Sequence, residues 1–154
     1  MKATITEIIE GATPETLFEQ VATLDRYPPW MRLVHRVTPM EPDEGRLAWW
    51  VELRAKVGPF ARSKQLRMVR TVFEPGTRVR FERVQHDDRD HAEWILTAEV
   101  ADHAEHGGTA LTMHLEYTGD LWSASVLGRI LDDEVRRSSA ALSRQFTAAS
   151  GPTR

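Results

Sequence analysis

Residues 13–37, TPETLFEQVATLDRYPPWMRLVHRV, decide how this chain folds. The stretch opens with a helix start: Thr13 can cap free backbone amides, the missing N–H of Pro14 is harmless in the first turn, and Glu15 favours the positive end of the helix dipole. The apolar side chains that follow at helical spacing are Leu17, Phe18, Val21 and Ala22. This pattern predicts a helix that runs to about Leu24.

Two adjacent prolines then interrupt the stretch between two aromatic residues. Pro28 and Pro29 cannot donate backbone hydrogen bonds, and each pushes the residue before it out of helical geometry. We therefore predict a short helical turn within residues 25–32, followed by a sharp change of direction. Tyr27 and Trp30 flank the break, and they either line the entrance of an internal cavity or plug the end of the hydrophobic core.

After this break the apolar period changes from helical to alternating. In residues 46–57, RLAWWVELRAKV, the odd positions are apolar and the charged residues lie on even positions. Residues 74–77, EPGT, place proline and glycine at the two central positions of a type II turn. The same signals along the chain predict six strands in successive hairpins, and a helical period then returns over residues 123–146.

With a first strand in residues 3–10, this order predicts an α+β fold. We expect a curved antiparallel seven-stranded sheet around a long C-terminal helix, with two short helices after the first strand. Such a sheet has one apolar face that needs a cover, and an apolar pocket between sheet and helix follows from their incomplete closure. No repeat or linker divides the chain, so we expect residues 1–150 to form a single ligand-binding domain.

Composition and charge narrow the possible functions. The 154 residues include 20 basic and 23 acidic ones, a net charge of −3, so nucleic acid is not an expected partner. The absence of cysteine excludes disulfides, thiolate nucleophiles and cysteine-based zinc sites. Because neither a signal peptide nor a membrane span is recognisable, we expect a cytoplasmic protein without stable membrane insertion. The sequence does not indicate the oligomeric state.

Motifs for cofactor or metal chemistry are not recognisable either. There is no HExxH, no glycine-rich phosphate loop and no G-x-S-x-G. The histidines of residues 86–91, HDDRDH, and 102–106, DHAEH, fall in predicted turns rich in solvated charge. The acidic run at residues 132–134 is explained by arginines four residues away on the same helix. We therefore expect neither a cofactor nor a metal.

The candidate ligand-binding residues come mainly from the inward faces of the predicted strands. They are Trp49, Val51, Phe81, Trp94, Leu96, Met113 and Tyr117, with Leu127 and Leu131 opposite on the C-terminal helix and Tyr27 and Trp30 at the break. Most of these side chains belong to a core whatever the protein does, but tryptophan also offers a flat surface for ring systems. Gly128 removes a side chain inside the long helix, either to leave room for ligand or to allow close packing on the sheet.

Polar candidates come from residues 63–73, SKQLRMVRTVF. If the odd positions face inward, Gln65 and Arg67 enter the cavity, where a buried guanidinium needs a partner such as a ligand carboxylate or phenolate. Leu66 and Met68 lie on the even positions, so a surface position for Arg67 is equally open. For Arg83, at the end of its strand, the sequence likewise leaves open whether the side chain faces the cavity or the surface.

The order of elements now becomes informative together with a local signature. The Pro14-Glu15 helix start, Phe18, the Y-P-x-W arrangement of residues 27–30 and Trp94 in the penultimate strand resemble the START-like superfamily, also called SRPBCC. Within it, the chain resembles the polyketide cyclase/dehydrase and lipid-transport group over nearly its whole length. The resemblance implies a helix-grip fold with an apolar cavity, as in aromatase/cyclases, quinone-binding proteins and plant hormone receptors.

Three functions follow as hypotheses. The first is binding of an apolar or aromatic small molecule, such as a polyketide, quinone or lipid. The second is a cofactor-independent polyketide cyclase/aromatase or dehydratase, in which Arg67, Gln65 and Tyr117 orient the substrate and move protons. The third is a structural or partner-binding domain, which gains ground if the tryptophans fill the interior. The catalytic residues of the cyclases cannot be matched one by one, so the sequence leaves open whether a reaction is catalysed.

Overall fold

A single antiparallel sheet wraps around the C-terminal helix in the computed structural model, which describes residues 2–87, 89–119 and 124–149; the side chains of residues 57, 124–127, 130, 131, 135 and 147–149 are not described. The strands are β1 (Lys2–Glu10), β2 (Val34–Asp43), β3 (Arg46–Val57), β4 (Phe60–Glu74), β5 (Arg78–Arg83), β6 (Trp94–His103) and β7 (Gly108–Tyr117). The helices are α1 (Pro14–Val21) and α2 (Ala124–Ala149), with 3₁₀ turns at Leu24–Arg26 and Ala104–His106. The order across the sheet is β1-β7-β6-β5-β4-β3-β2, which confirms the predicted helix-grip fold.

The start of α1 follows the predicted capping chemistry. The Thr13 hydroxyl accepts a hydrogen bond from the backbone N–H of Thr16 at 3.2 Å, and the backbone N–H of Thr13 donates to the Thr16 hydroxyl at 3.0 Å. This reciprocal pair satisfies two amides that a helix start leaves free. The helix ends at Val21, three residues earlier than the spacing predicts, because Thr23 is extended with a φ of −133°.

The strands follow the alternating pattern where one face is buried. Trp49, Val51 and Leu53 of β3 are buried on the concave face, whereas Arg54 is exposed. The turn between β4 and β5 closes through a 3.0 Å hydrogen bond from the Thr77 N–H to the carbonyl of Glu74. Gly76 has a φ of 74°, the positive value that the third position of the predicted type II turn requires.

One irregularity changes the alternation in β4. Arg70 pairs with Phe81 of β5, but the next register partners are Val72 and Arg80, so β4 carries one extra residue at this point. Such a bulge moves every later residue of the strand to the opposite face. Leu66 and Met68, at even positions before the bulge, face the concave side, so the odd positions before the bulge face the convex side.

The long helix α2 covers the concave face near β1 and the end of the lid segment, residues 24–34. Leu142 and Ser138 of α2 are buried, and the Glu134 carboxylate accepts a 3.2 Å hydrogen bond from the backbone N–H of Leu33. On its exposed side, arginines were predicted to pair with acidic residues four positions away, and Arg136 Nη2 lies 3.0 Å from Asp132 Oδ2. Within the described ranges, no helix combines the length and apolarity needed to cross a membrane.

Candidate functional site

The concave face of the sheet and the lid segment enclose an apolar cavity. Its volume is about 60 Å³, counted as the space open to the centre of a water-sized sphere. The described side chains that line it are Ala3, Ile5, Leu24, Met31, Leu33, Val34, Val51, Leu53, Leu66, Met68, Trp94, Leu96, Met113 and Leu115. All of them are apolar, so the cavity offers van der Waals contact and no hydrogen-bonding side chain of the described lining other than the indole of Trp94.

Strand register brings these side chains together. Val51 of β3 lies opposite Leu66 of β4, and Leu96 of β6 lies opposite Leu115 of β7. Ile5 on β1 pairs with Met113 in the same way. Because paired residues share a face in an antiparallel sheet, alternate positions on five strands point into one space.

Four of the predicted ligand-binding residues line this cavity: Val51, Trp94, Leu96 and Met113. They come from strands whose alternation is unbroken, so the sequence pattern located them. The side chains of Leu127 and Leu131 lie outside the described residues.

Five other predicted residues are buried beside the cavity without lining it. They are Tyr27, Trp30, Trp49, Phe81 and Tyr117. The rings of the first four contact one another: Trp49 meets the edge of Phe81 with a centroid separation of 5.5 Å, and Tyr27 meets Phe81 edge-on and lies 4.5 Å from Trp30. These four aromatic side chains therefore pack the core beside the cavity.

The lid segment reaches the cavity through aliphatic side chains, and Tyr27 and Trp30 take the second of the two positions that the sequence leaves open, packing the core. Leu24 and Met31 reach the cavity, whereas Tyr27 and Trp30 pack away from it. The indole N–H of Trp49 donates a 3.0 Å hydrogen bond to the carboxylate of Asp25, which ties the lid segment to β3. The proline break therefore turns the chain so that the aliphatic side chains on either side of it face inward.

The polar candidates Gln65 and Arg67 do not enter the cavity. They lie before the bulge on the odd positions of β4, which face the convex side, and Leu66 lines the cavity in their place. Gln65 is exposed and accepts a 3.3 Å hydrogen bond from the Trp50 indole. The inward placement of Gln65 and Arg67 is therefore wrong, because the bulge divides β4 into two halves of opposite parity.

Arg67 instead belongs to an ionic cluster on the convex face. Its Nη1 donates to the Asp43 carboxylate at 2.9 Å and to the carbonyl of Val84 at 3.1 Å, and His86 Nε2 lies 3.0 Å from the same Asp43 oxygen. The hydrogen bonds from Arg67 and His86 hold the pKa of the Asp43 carboxyl below its usual value. A protein carboxylate thus supplies the partner that a ligand was predicted to supply.

Arg83 lies on the concave face, since it pairs with Met68. Its guanidinium donates to the carbonyl of Ala92 at 3.2 Å and approaches His91 Nδ1 at 3.1 Å, while His91 Nε2 lies 2.8 Å from the Asp87 carboxylate. Burial lowers the pKa of Arg83. Both ring nitrogens of His91 have partners, so the ring helps to hold the Arg83 guanidinium in place.

Tyr117 lies at the boundary between this polar group and the cavity. Its ring centroid is 4.4 Å from that of Trp94, and both side chains line a second pocket together with Arg83. A Cβ atom added at Gly119 would lie 2.4 Å from the Tyr117 hydroxyl oxygen, so glycine is needed for the chain to pass over the ring. Tyr117 is therefore fixed by packing beside the cavity.

Sequence reasoning missed ten of the lining residues. These are Ala3, Ile5, Leu24, Met31, Leu33, Val34, Leu53, Leu66, Met68 and Leu115. The signal existed in β3 and β7, where Leu53 shares the parity of Val51 and Leu115 that of Met113, whereas no residue of β1 was among the candidates. In β4 and the lid segment no signal could have separated lining residues from other buried ones. Among the described residues, no three histidine, aspartate or glutamate side chains converge as a metal site would require.

The family of the chain follows from comparison with known proteins. The model of the family described as polyketide cyclase/dehydrase and lipid transport matches residues 11–142. The chain belongs to this family. Family and fold together indicate hydrophobic ligand binding or polyketide cyclase-type activity, in agreement with the apolar cavity. No curated protein matches the chain.

Solved structures share the fold at low sequence identity. TTHA0849 from Thermus thermophilus superposes with a TM-score of 0.71 at 16% identity, covering 98% of this chain and 100% of that one. A START superfamily protein from Mycobacterium smegmatis gives 0.68 at 14% identity, with 96% and 98% covered. The di-domain aromatase/cyclase StfQ from the steffimycin biosynthetic pathway gives 0.64 at 15% identity, with 97% of this chain and 51% of StfQ covered. At these identities the likeness establishes the fold alone.

Proposed function

We propose that this protein binds an apolar or aromatic small molecule, of the polyketide, quinone or lipid class, in the cavity that the sheet and the lid segment enclose. The observation that carries this proposal is the uniformly apolar character of the described lining, to which five strands and the lid segment contribute. Ligand sites are concave and mostly apolar, and an apolar ligand gains free energy in proportion to the area it removes from water.

The size of the cavity indicates that its lining must rearrange to admit a ligand. Its volume of about 60 Å³ is well below the roughly 300–1,000 Å³ of pockets that hold drug-sized ligands. The lining must therefore move when a polyketide or quinone enters. Met31, Met68 and Met113 line the cavity, and unbranched methionine side chains adapt their shape more easily than branched ones.

Binding is better supported than catalysis. A cyclase or dehydratase needs a group that can transfer a proton within reach of the substrate. No described lining residue carries a group that titrates near neutral pH, Gln65 and Arg67 lie on the convex face, and Tyr117 is packed against Trp94. The cyclase hypothesis therefore has no acid or base among the described lining residues to support it.

A variant that fills the cavity tests the proposal. Ala3 lines the cavity from β1, so Ala3→Leu places three additional carbon atoms there. Ala101 is exposed on β6, and Ala101→Leu is the matched control. Titration with menadione or with a long-chain alcohol, followed by the fluorescence of Trp94 and the other tryptophans, measures the affinity.

We expect roughly tenfold weaker binding by Ala3→Leu, since a ligand must give up contacts to the added carbons, and unchanged binding by Ala101→Leu. Both variants should unfold at the same urea concentration as the parent to within a small difference. If menadione and the alcohol bind neither variant nor parent, or if the two variants bind equally well, the cavity is not the ligand site. A filled interior with a partner-binding role would then be the better hypothesis.

A further inference from the structure

Positive charge is concentrated in one segment of the chain. Residues 53–66 contain four basic and no acidic residues, leaving 16 basic and 23 acidic residues elsewhere, a net charge of −7. The segment therefore differs in sign from the rest of the molecule. A local field of this kind attracts anionic partners that the whole-protein charge of −3 would not.

The segment forms a hairpin that extends beyond the neighbouring strands. Residues 54–57 of β3 and 60–63 of β4 pair with each other. The pairing of β2 with β3 ends at Leu53, and that of β5 with β4 ends at Met68, so neither neighbouring strand extends along this part of the hairpin. The hairpin tip, residues 54–63, closes with a two-residue loop in which Gly58 has a φ of 61°, as the first position of a type II′ turn requires. The hairpin tip thus projects from the sheet.

A phenylalanine occupies this tip. The Phe60 side chain is 70% exposed, more than any other large apolar residue that the structure describes. Arg54, Lys56 and Arg62 are exposed within a few residues of it, and Lys64 is half-buried. Neither Arg54, Lys56 nor Lys64 forms an ion pair with a described residue. An apolar tip with a collar of cations is the arrangement that partitions into the interface of an anionic bilayer.

We propose that the tip of the β3–β4 hairpin docks the protein on anionic lipid surfaces, with Phe60 entering the headgroup region and the surrounding cations contacting the headgroups. Nucleic acid is the less suitable anion, because binding of single strands uses several aromatic side chains as stacking platforms. The hairpin tip offers one aromatic residue. This contact is peripheral and leaves the chain outside the hydrocarbon core.

The position of the hairpin connects the surface with the cavity. Leu53 and Leu66, at its base, both line the cavity. Arg54 and Lys56 also line a surface groove with Arg32 and Arg137, which extends the basic surface toward α2, although two acidic residues of α2 share that groove. Docking through the tip would place the membrane next to the lid segment. The inference goes beyond the proposed ligand binding and does not depend on it.

Flotation with vesicles tests the docking surface. The full chain is mixed with vesicles of pure phosphatidylcholine or of an equimolar mixture of phosphatidylcholine and phosphatidylglycerol, and the bound fraction is measured at low and high salt. We expect binding to the anionic vesicles only, and weaker binding at high salt because the attraction is screened. Absence of binding to the anionic vesicles at low salt overturns the proposal.

Two hairpin variants test which residues contact the membrane. The double variant Arg54→Gln with Lys56→Gln should bind anionic vesicles roughly 25-fold more weakly, about fivefold for each charge removed. Phe60→Ala should bind roughly tenfold more weakly through the loss of apolar area. The matched controls are Arg129→Gln with Arg144→Gln on the exposed side of α2, and Leu47→Ala, a 40% exposed apolar residue near the far end of β3.

Three results would contradict the assignment of the membrane contact to the hairpin tip. Equal losses in the hairpin variants and the controls would show a non-specific charge effect. Parent-like binding by the hairpin variants would place the membrane contact elsewhere. Tighter binding to a single-stranded oligonucleotide than to anionic vesicles, unchanged in Phe60→Ala, would make the basic surface a nucleic-acid site. Circular dichroism of each variant, compared with the parent, separates these results from unfolding.

Discussion

The hydroxyl group of Tyr27 donates a 2.9 Å hydrogen bond to the backbone carbonyl of Val21, the last residue of α1. Tyr27 is fully buried, and its ring meets Phe81 edge-on with an interplanar angle of 89°. Burial raises the pKa of the hydroxyl, which therefore stays protonated as the donor. The residue thus serves as a cap for a helix end whose carbonyl would otherwise lack a partner.

Removing this hydroxyl should destabilise the protein. Tyr27→Phe leaves the ring in place but leaves the Val21 carbonyl without its donor, which costs about 1–3 kcal/mol for a buried group. Unfolding in urea measures the difference. Thr6→Val is the control, because it removes a hydroxyl whose 3.0 Å hydrogen bond to Thr112 is exposed, and we expect it to change the free energy of unfolding by less than about 0.5 kcal/mol. Equal effects in the two variants would refute the capping role.

Arg70 satisfies the next carbonyl of the same helix end. Its Nη1 donates to the carbonyl of Ala22 at 2.9 Å, and its guanidinium carbon lies 4.0 Å from the ring centroid of Phe73. Because a hydrogen bond from a charged donor contributes about 1.5–3 kcal/mol, Arg70→Met should lower the free energy of unfolding by about 2 kcal/mol. Amide exchange in α1 should become faster. Arg36→Met, at an exposed position of β2, is the control, and unchanged exchange in α1 would contradict the prediction.

Sequence reasoning predicted the fold because its signals were local. The capping residues of α1, the alternation in β3 and the Pro-Gly turn after β4 each specify their own element through short-range chemistry. Together these elements left few ways to bury the apolar faces. The end of α1 was placed three residues too far along the chain, because the residues after Val21 continue the helical apolar spacing although the backbone has already become extended.

The candidate site was predicted less well because its boundaries depend on tertiary structure. The bulge at Arg70 has no signature in the sequence, yet it decides that Leu66 faces the cavity and Arg67 faces Asp43. Likewise, the proline break predicted a lid but could not show that Leu24, and not Tyr27, reaches the cavity. Alternation distinguishes buried from exposed side chains, whereas lining a cavity depends on which buried side chains lack a neighbour.

Gly128 offers a test of helix stability without a change in packing. A Cβ atom added there would meet no atom of the described residues within 4 Å, so close packing on the described part of the sheet does not require this glycine. Gly128→Ala should raise the free energy of unfolding by up to about 1 kcal/mol, because alanine is the better helix former. Gly45→Ala is the comparison: its Cβ would also be unobstructed, but Gly45 has a φ of 80°, and we expect destabilisation. Loss of stability in Gly128→Ala would show that space at this position is needed.

The lowered pKa of Asp43 in the folded protein predicts how the free energy of unfolding changes with pH. Its side chain is 8% exposed and is held by Arg67 and His86, and these hydrogen bonds lower its pKa in the folded protein. The unfolded chain takes up a proton near the ordinary aspartate pKa of about 3.9, whereas the folded protein does so only at lower pH. The stabilisation is therefore fully present above this ordinary value and is lost as the pH falls through the lower, folded-state pKa.

Comparison of the parent with Asp43→Asn over a pH series isolates this contribution. At neutral pH the variant should unfold at a lower urea concentration than the parent, because Arg67 loses its charged partner. As the pH falls below about 3.9 the two curves should converge, since the parent carboxyl becomes neutral as well. Glu41→Gln, an exposed acid on the same strand, should follow the parent throughout. A difference between parent and Asp43→Asn that stays constant from neutral to acidic pH would mean that the side-chain amide disrupts packing, and that the charge of Asp43 does not stabilise the fold.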